Sequence, residues 1–385
     1  MPKTVLWIYS KPLCSEAGGT ERITSLIQRG LRGEGYNCMD ILVLNREEDR
    51  ASYHEEEVGD VYQFLKENKL DVVINQWGQL PEFLSYFLDK GGRQWHEEGG
   101  KIISCLHFDP KMISYYDELS AIEKKSWREY INLVKAKVFA NYYAKRDMRR
   151  LGETYRKVYE LSDAYVLLSE GFVPYFKEAT GIKDSSRLYS INNPLTFETN
   201  ADSSILDNKK NVMLVVSRMY ERQKRITLVL KVWERLANRR SMRDWELKIV
   251  GDGPDMERYQ RTVDDKKLER ISFVGHQSPE PYYAEAKIFL MTSVMEGWGL
   301  TITESLQKGV VPIAFDTCAA FHDMITDGEN GFVVSEGNIS QYVKKVELLA
   351  TDTTLWQRLA KNALDSANRF SLEKITKQWE KIIEG

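Results

Sequence analysis

Short apolar runs recur along the chain, each bounded by polar or glycine-containing turns, with helix-spaced segments between them. Residues 5–9 form such a run and predict a buried first strand. A loop ending in Gly18-Gly19-Thr20 follows. Ile23, Leu26, Ile27 and Leu31 then recur at helical spacing, so a helix begins near Thr20. Residues 38–44 read as a second strand, 58–65 as a helix, 71–75 as a strand and 101–107 as another, with His107 at its carboxyl end. Between 110 and 160 this rhythm gives way to long, aromatic sequence of helical bias. A strand at 165–168, a helix at 173–179 and a strand at 188–191 complete this half.

Asn192-Asn193-Pro194 and the polar stretch 199–210 read as a linker. A second alternation follows. Strands are expected at 212–216, 246–250, 271–274, 288–291, 311–315 and 331–334. Helices are expected at 226–236 and 256–263, opening at 303–307, and at 339–350 and 371–383. The expected fold class is α/β, with two Rossmann-like domains carrying parallel sheets, 1–195 and 211–369. Ligands of open α/β sheets sit at the carboxyl ends of the strands, so the expected site is a cleft between two facing domains.

Composition narrows the picture. The 385 residues suggest two domains or three. With 42% hydrophobic and 29% charged residues the chain has globular composition, and a net charge of −3 gives no basic field for nucleic acid. Cys14, Cys38, Cys105 and Cys318 are scattered, which indicates neither a disulfide framework nor a zinc site. The first residues lack a signal-peptide pattern, and no run approaches the ~18–20 apolar residues of a membrane span. A cytoplasmic location is expected, with any membrane contact peripheral at the inner face. Residues 110–160 are locally basic (Lys124, Lys125, Arg128, Lys135, Lys137, Lys145, Arg146, Arg149, Arg150, Arg156 and Lys157). They offer either a contact with an anionic membrane or lipid-diphosphate acceptor, or simply a solvated helix face.

Five constellations carry candidate chemistry. Glu296-Gly297-Trp298-Gly299-Leu300-Thr301-Ile302-Thr303-Glu304 follows a strand and enters a helix, so its amides favour an anion while two carboxylates flank it. Thr301-Ile302-Thr303-Glu304 also matches a capping box. Arg218, after the strand 212–216, and Lys224 or Arg225, one loop later, could clamp a diphosphate. Gly18 and Gly19 let a backbone approach a ligand closely. His107 stands at a strand end. Gly251-Asp252-Gly253-Pro254 reads as a turn and is not a dinucleotide fingerprint, because Met256 stands where a third glycine would be.

The Glu296-to-Glu304 segment resembles the Glu-x7-Glu motif of family 4 glycosyltransferases (glycosyl transferases group 1), usually written EGFGL…E, with Trp298 in place of the common Phe. The resemblance is specific over about 212–337. It implies a GT-B fold, with domains facing across a cleft and a last helix, about 370–385, returning to the N-terminal domain. It implies retaining, metal-independent transfer from a nucleoside diphosphate sugar, UDP-sugar before GDP-sugar, to a hydroxyl of a glycan or lipid-linked acceptor in surface polysaccharide or glycoconjugate synthesis. Glu296 would face the donor sugar and Glu304 the ribose. Arg218 and Lys224 would hold the diphosphate, although the family spacing is one residue shorter and leaves Arg225 as an alternative. His107 would touch the sugar. Gly18, Gly19, Gly297, Trp298, Gly299, Leu300 and Thr301 would line the donor. Gly275 and His276, in a segment resembling the family's F-x-G, would meet the nucleobase through their backbone. No DxD motif appears, which disfavours metal-dependent transferases, and no cofactor is expected. A GT-B nucleotide-sugar 2-epimerase and a non-catalytic transferase-like binding subunit are the alternatives.

Overall fold

The computed structural model describes residues 3–12, 18–111, 126–198 and 201–385, which form two compact units. The first comprises 1–112, 141–196 and 370–385, and the second 113–140 and 197–369. Of the described residues, 126–140, which the sequence division places in the N-terminal domain, group with the second unit. In this segment the helix Trp127–Val138 leaves Trp127, Tyr130, Val134 and Val138 exposed.

The first unit is built on β1 (Thr4–Tyr9), β2 (Asn37–Asn45), β3 (Arg50–Tyr53), β4 (Glu56–Glu57), β5 (Val72–Asn75), β6 (Lys101–Leu106), β7 (Ala164–Leu167) and β8 (Leu188–Ser190). Their order is β4-β3-β2-β1-β5-β6-β7-β8. All six residues of β1 are buried, as an apolar run in a central parallel strand requires. The helix Gly19–Gly33 buries Ile23, Leu26, Ile27 and Leu31, the residues whose spacing announces it. The antiparallel hairpin β3–β4 has no counterpart in the sequence reading. Arg50–Tyr53 buries only Ala51, so its strand character comes from pairing with β2, Leu42 opposite Tyr53, and not from a hydrophobic pattern.

The last helix, Leu372–Glu384, also belongs to this unit. It buries Ile375, Trp379, Ile382 and Ile383, each contributing about 1.5–3 kcal/mol of hydrophobic stabilisation. Lys3 Nζ donates to the Ile383 carbonyl at 2.7 Å and Tyr36 Oη to Glu384 at 2.7 Å. Gly30 permits the approach, since a Cβ there would collide with Thr376 Oγ1.

The second unit holds β9 (Val212–Val216), β10 (Glu246–Val250), β11 (Ile271–Gly275), β12 (Ile288–Met291), β13 (Val311–Phe315) and β14 (Phe332–Val334), all parallel, in the order β11-β10-β9-β12-β13-β14. This is the 3-2-1-4-5-6 arrangement of doubly wound sheets. The helix Ile226–Leu236 packs Ile226, Val229, Leu230 and Trp233 into its core. Two features depart from the sequence reading. A further helix, Thr353–Ala367, is capped by Asp352, which accepts the Leu355 N–H at 2.9 Å. Part of the expected linker is packed: Ser203–Asn208 forms a 3₁₀ turn, and the buried Lys209 amine donates to the Tyr283 carbonyl at 2.7 Å. Burial, with Lys308 nearby, pushes that amine down to about 7.

Candidate functional site

In the second unit the chain leaves β9 toward β10 on one side, and leaves β12 toward β13 on the other. The crevice outside the carboxyl ends of such a diverging pair is where doubly wound sheets bind ligands. The two loops that border it are knitted together. Val294 N–H donates to the Gln223 carbonyl at 2.8 Å, Gln223 Nε2 to the Met295 carbonyl at 3.2 Å, and Thr292 Oγ1 to the Lys224 carbonyl at 2.9 Å. Across this seam Lys224 Nζ lies 2.5 Å from Glu296 Oε1, with side-chain exposures of 16% and 11%. Each ion offsets the cost of desolvating the other.

The geometry separates Lys224 from Arg225. Arg225 adopts a left-handed conformation (φ 50°, ψ 46°) as it enters the helix Ile226–Leu236. Its guanidinium donates to the carbonyls of Thr292 and Ser293 and to Glu336 Oε1, the last at 2.8 Å. Arg225 thus ties loops together, while Lys224 presents its amine to Glu296. Arg218, by contrast, is exposed, with its guanidinium 5.8 Å from the centre of the Tyr220 ring.

Gly251-Asp252-Gly253-Pro254 acts as a mould for the Arg218 loop. Ser217 N–H donates to the Val250 carbonyl at 3.0 Å, Met219 N–H to the Asp252 carbonyl at 2.8 Å, and Asp255 N–H to the Met219 carbonyl at 3.0 Å. Gly251 has φ 130°, and a Cβ on it would collide with the Ser217 carbonyl oxygen. Only glycine combines that conformation with that approach. Gly275 (φ 80°) accepts the Gly251 N–H at 2.8 Å, so its carbonyl is engaged, and His276 beside it is exposed. Gly275 ends β11, an edge strand two positions from β9, and His276 follows it.

The helix after β12 spans Leu300–Gln307, with Gly299 as its N-cap in a left-handed conformation (φ 96°, ψ 56°). This start excludes the capping box. Thr301 and Glu304 lie inside the helix, and Thr303 Oγ1 donates to the Leu300 carbonyl at 2.9 Å. The first-turn amides of Leu300 and Thr301, both half-buried, carry the positive end of the helix dipole. Glu296 and Glu304 are both buried. Trp298, between them in sequence, is only 2% exposed. Gly297, beside it, is half-buried.

The first unit has its own crevice, between β1 and β5. The helix Gly19–Gly33 starts here, with the extended Gly18 as N-cap. Glu21, in its first turn, is 3% exposed and ion-paired with Lys11. A Cβ on Gly18 would lie 2.6 Å from Glu21 Oε2. His107, past β6, lies 2.6 Å (Nε2) from Gln76 Oε1, which also lies 3.3 Å from Thr24 Oγ1. With the amide oriented so, the shared proton sits on Nε2. Burial pushes the imidazole down to about 4, against the opposing pull of Glu21, so it is neutral at pH 7. Glu21, Lys11 and Gln76 join this cluster without being among the residues singled out from the sequence. The first two follow a strand end and were legible from position; Gln76 carried no motif.

Among the described residues no group of three or more His, Cys, Asp or Glu could hold a metal ion, and no helix is long and apolar enough to cross a membrane.

Residues 196–365 match the family model described as glycosyl transferases group 1. An uncharacterized glycosyltransferase of Haemophilus influenzae is 24% identical over 372 residues, covering 95% of this chain and 96% of that one. The apo form of the lipopolysaccharide outer core galactosyltransferase WaaB is similar in structure, with a TM-score of 0.68 at 20% identity over 99% of each chain. Anabaena HepE in complex with UDP gives a TM-score of 0.68 at 15% identity over the full length of both. At these identities the structural likeness speaks for the fold.

Proposed function

We propose that this chain, whose residues 196–365 match the model of glycosyl transferases group 1 and whose fold is GT-B, transfers a sugar from a UDP-sugar to a hydroxyl of a glycan or lipid-linked acceptor, with retention and without a metal. One observation carries the reading: the Lys224–Glu296 pair at the β9/β12 crevice, beside the amides that open the helix Leu300–Gln307.

In this reading Arg218, Lys224 and those amides neutralise the diphosphate, the task a metal performs elsewhere. Glu296 is engaged by an ammonium group, which makes it a poor nucleophile and suits it to orienting sugar hydroxyls. Glu304 holds the ribose, and the backbone at Gly275 and His276 the base. His107, neutral, donates or accepts a hydrogen bond at a sugar hydroxyl beside Gly18 and Gly19. The acceptor oxygen attacks the anomeric carbon on the face the diphosphate leaves. A carbon–oxygen bond forms as the sugar–diphosphate bond breaks, and the hydroxyl proton passes to the departing diphosphate oxygen. UDP in the Anabaena relative supports the nucleotide. The lipopolysaccharide substrate of the galactosyltransferase relative supports a surface-glycan acceptor.

The experiment is calorimetric titration of UDP and GDP into the purified protein in the presence of EDTA. UDP should bind and raise the unfolding temperature, with GDP weaker. Binding of GDP alone, or UDP binding only after a divalent metal is restored, overturns the assignment.

A further inference from the structure

The helix Trp127–Val138 presents large apolar side chains to solvent in a regular row. Trp127 is 74% exposed, Tyr130 58%, Val134 60% and Val138 71%, and Phe139 just beyond is 54% exposed. Positions 127, 130, 134 and 138 are spaced three, four and four residues apart, which puts them on one face of a helix about 18 Å long. A row of this kind is unusual on a soluble surface, where large contiguous apolar patches mark an interaction site.

Charge says what covers it. Arg128 and Lys135 are exposed on the same helix, seven residues apart and so on one side of the row. The sequence from 126 to 160 carries nine Lys and Arg against four Asp and Glu, although the whole chain is net negative at −3. Within 127–138 the only acidic residue is Glu129. A second copy of the chain laid on this face would bring like charges together. An anionic lipid surface instead takes aromatic and aliphatic groups at the depth of its headgroups and attracts the cations beside them. The helix is too short to span a bilayer and has the right pattern to lie in its surface.

We propose that the Trp127–Val138 helix is a membrane-docking element that inserts Trp127, Val134 and Val138 into the interfacial zone of an anionic bilayer, with Arg128 and Lys135 on the headgroups. This surface is distinct from the residues assigned to the donor, so it stands or falls separately from the proposed transfer reaction.

The test is flotation of the full-length protein with vesicles of phosphatidylcholine, alone or mixed with phosphatidylglycerol, at low and physiological salt. The expected result is binding to the mixed vesicles and little to phosphatidylcholine alone. V134S/V138S should weaken binding about tenfold or more, and R128Q/K135Q about fivefold per charge removed, the latter only on anionic vesicles and most at low salt. Both variants change exposed side chains, so their unfolding temperatures and UDP binding should match the parent. Failure of the parent protein to bind anionic vesicles at low salt overturns the proposal. So does V134S/V138S binding as tightly as the parent, or a concentration-dependent dimer that this double substitution abolishes.

Discussion

Replacing Lys224 with Met isolates the ion pair on which the functional reading rests. The Lys224 amine and the Glu296 carboxylate are 2.5 Å apart and mostly buried. Removing one partner of a fully buried pair costs about 3–5 kcal/mol, because the survivor is left desolvated. The residual exposure at this site admits some water, so the expected destabilisation of K224M is about 2–4 kcal/mol. E296L should cost a similar amount. Replacing both with apolar residues removes both stranded charges, so K224M/E296L should fall within about 1 kcal/mol of the parent. The coupling energy in the double-mutant cycle is then about 3 kcal/mol or more. Urea unfolding of the four proteins measures it. UDP titration of the same four separates stability from function. The double variant should regain stability yet still bind UDP weakly, because the cation for the diphosphate is gone. Single variants as stable as the parent, or a double variant that binds UDP as tightly as the parent, would refute the reasoning.

Three other outcomes are expected. Arg218→Ala should lower turnover about 10²–10³-fold while leaving the unfolding temperature nearly unchanged, since the side chain is exposed; steady-state assay beside thermal unfolding checks both. Gly251→Ala should cost about 1–3 kcal/mol or more and also reduce turnover, because its Cβ displaces the Ser217 carbonyl and with it the Arg218 loop. His107 titrates near 4 when folded, below the ~6.5 of an unfolded imidazole. The folded state therefore binds fewer protons, and the stability linked to His107 is full above about pH 6.5 and lost as pH falls toward 4. The parent should lose up to about 2–3 kcal/mol across that window relative to His107→Gln. Parallel pH profiles for the two proteins would contradict this.

Much of this protein follows from local sequence. Apolar runs such as Ile288–Met291 are buried parallel strands because a strand covered on both faces has no polar side to show. The helix Thr353–Ala367 keeps Trp356, Leu359, Ala360, Ala363 and Leu364 at helical spacing, but two of the five are alanines, which weaken the apolar contrast of the row. The segment from Glu296 to Glu304 stands out by residue type and spacing alone. Tertiary structure decided the rest. Strand order brings Lys224 and Glu296, 72 positions apart, into contact, and turns Arg225 toward the Thr292 carbonyl and Glu336 instead. It buries the Trp298 indole, makes Gly251 and Gly253 the mould for Arg218, and sets Gln76 against His107. Periodicity and propensity act over a few neighbouring residues. Which loops meet at the end of a sheet depends on the order in which distant strands pair, and that order is fixed only when the whole core packs.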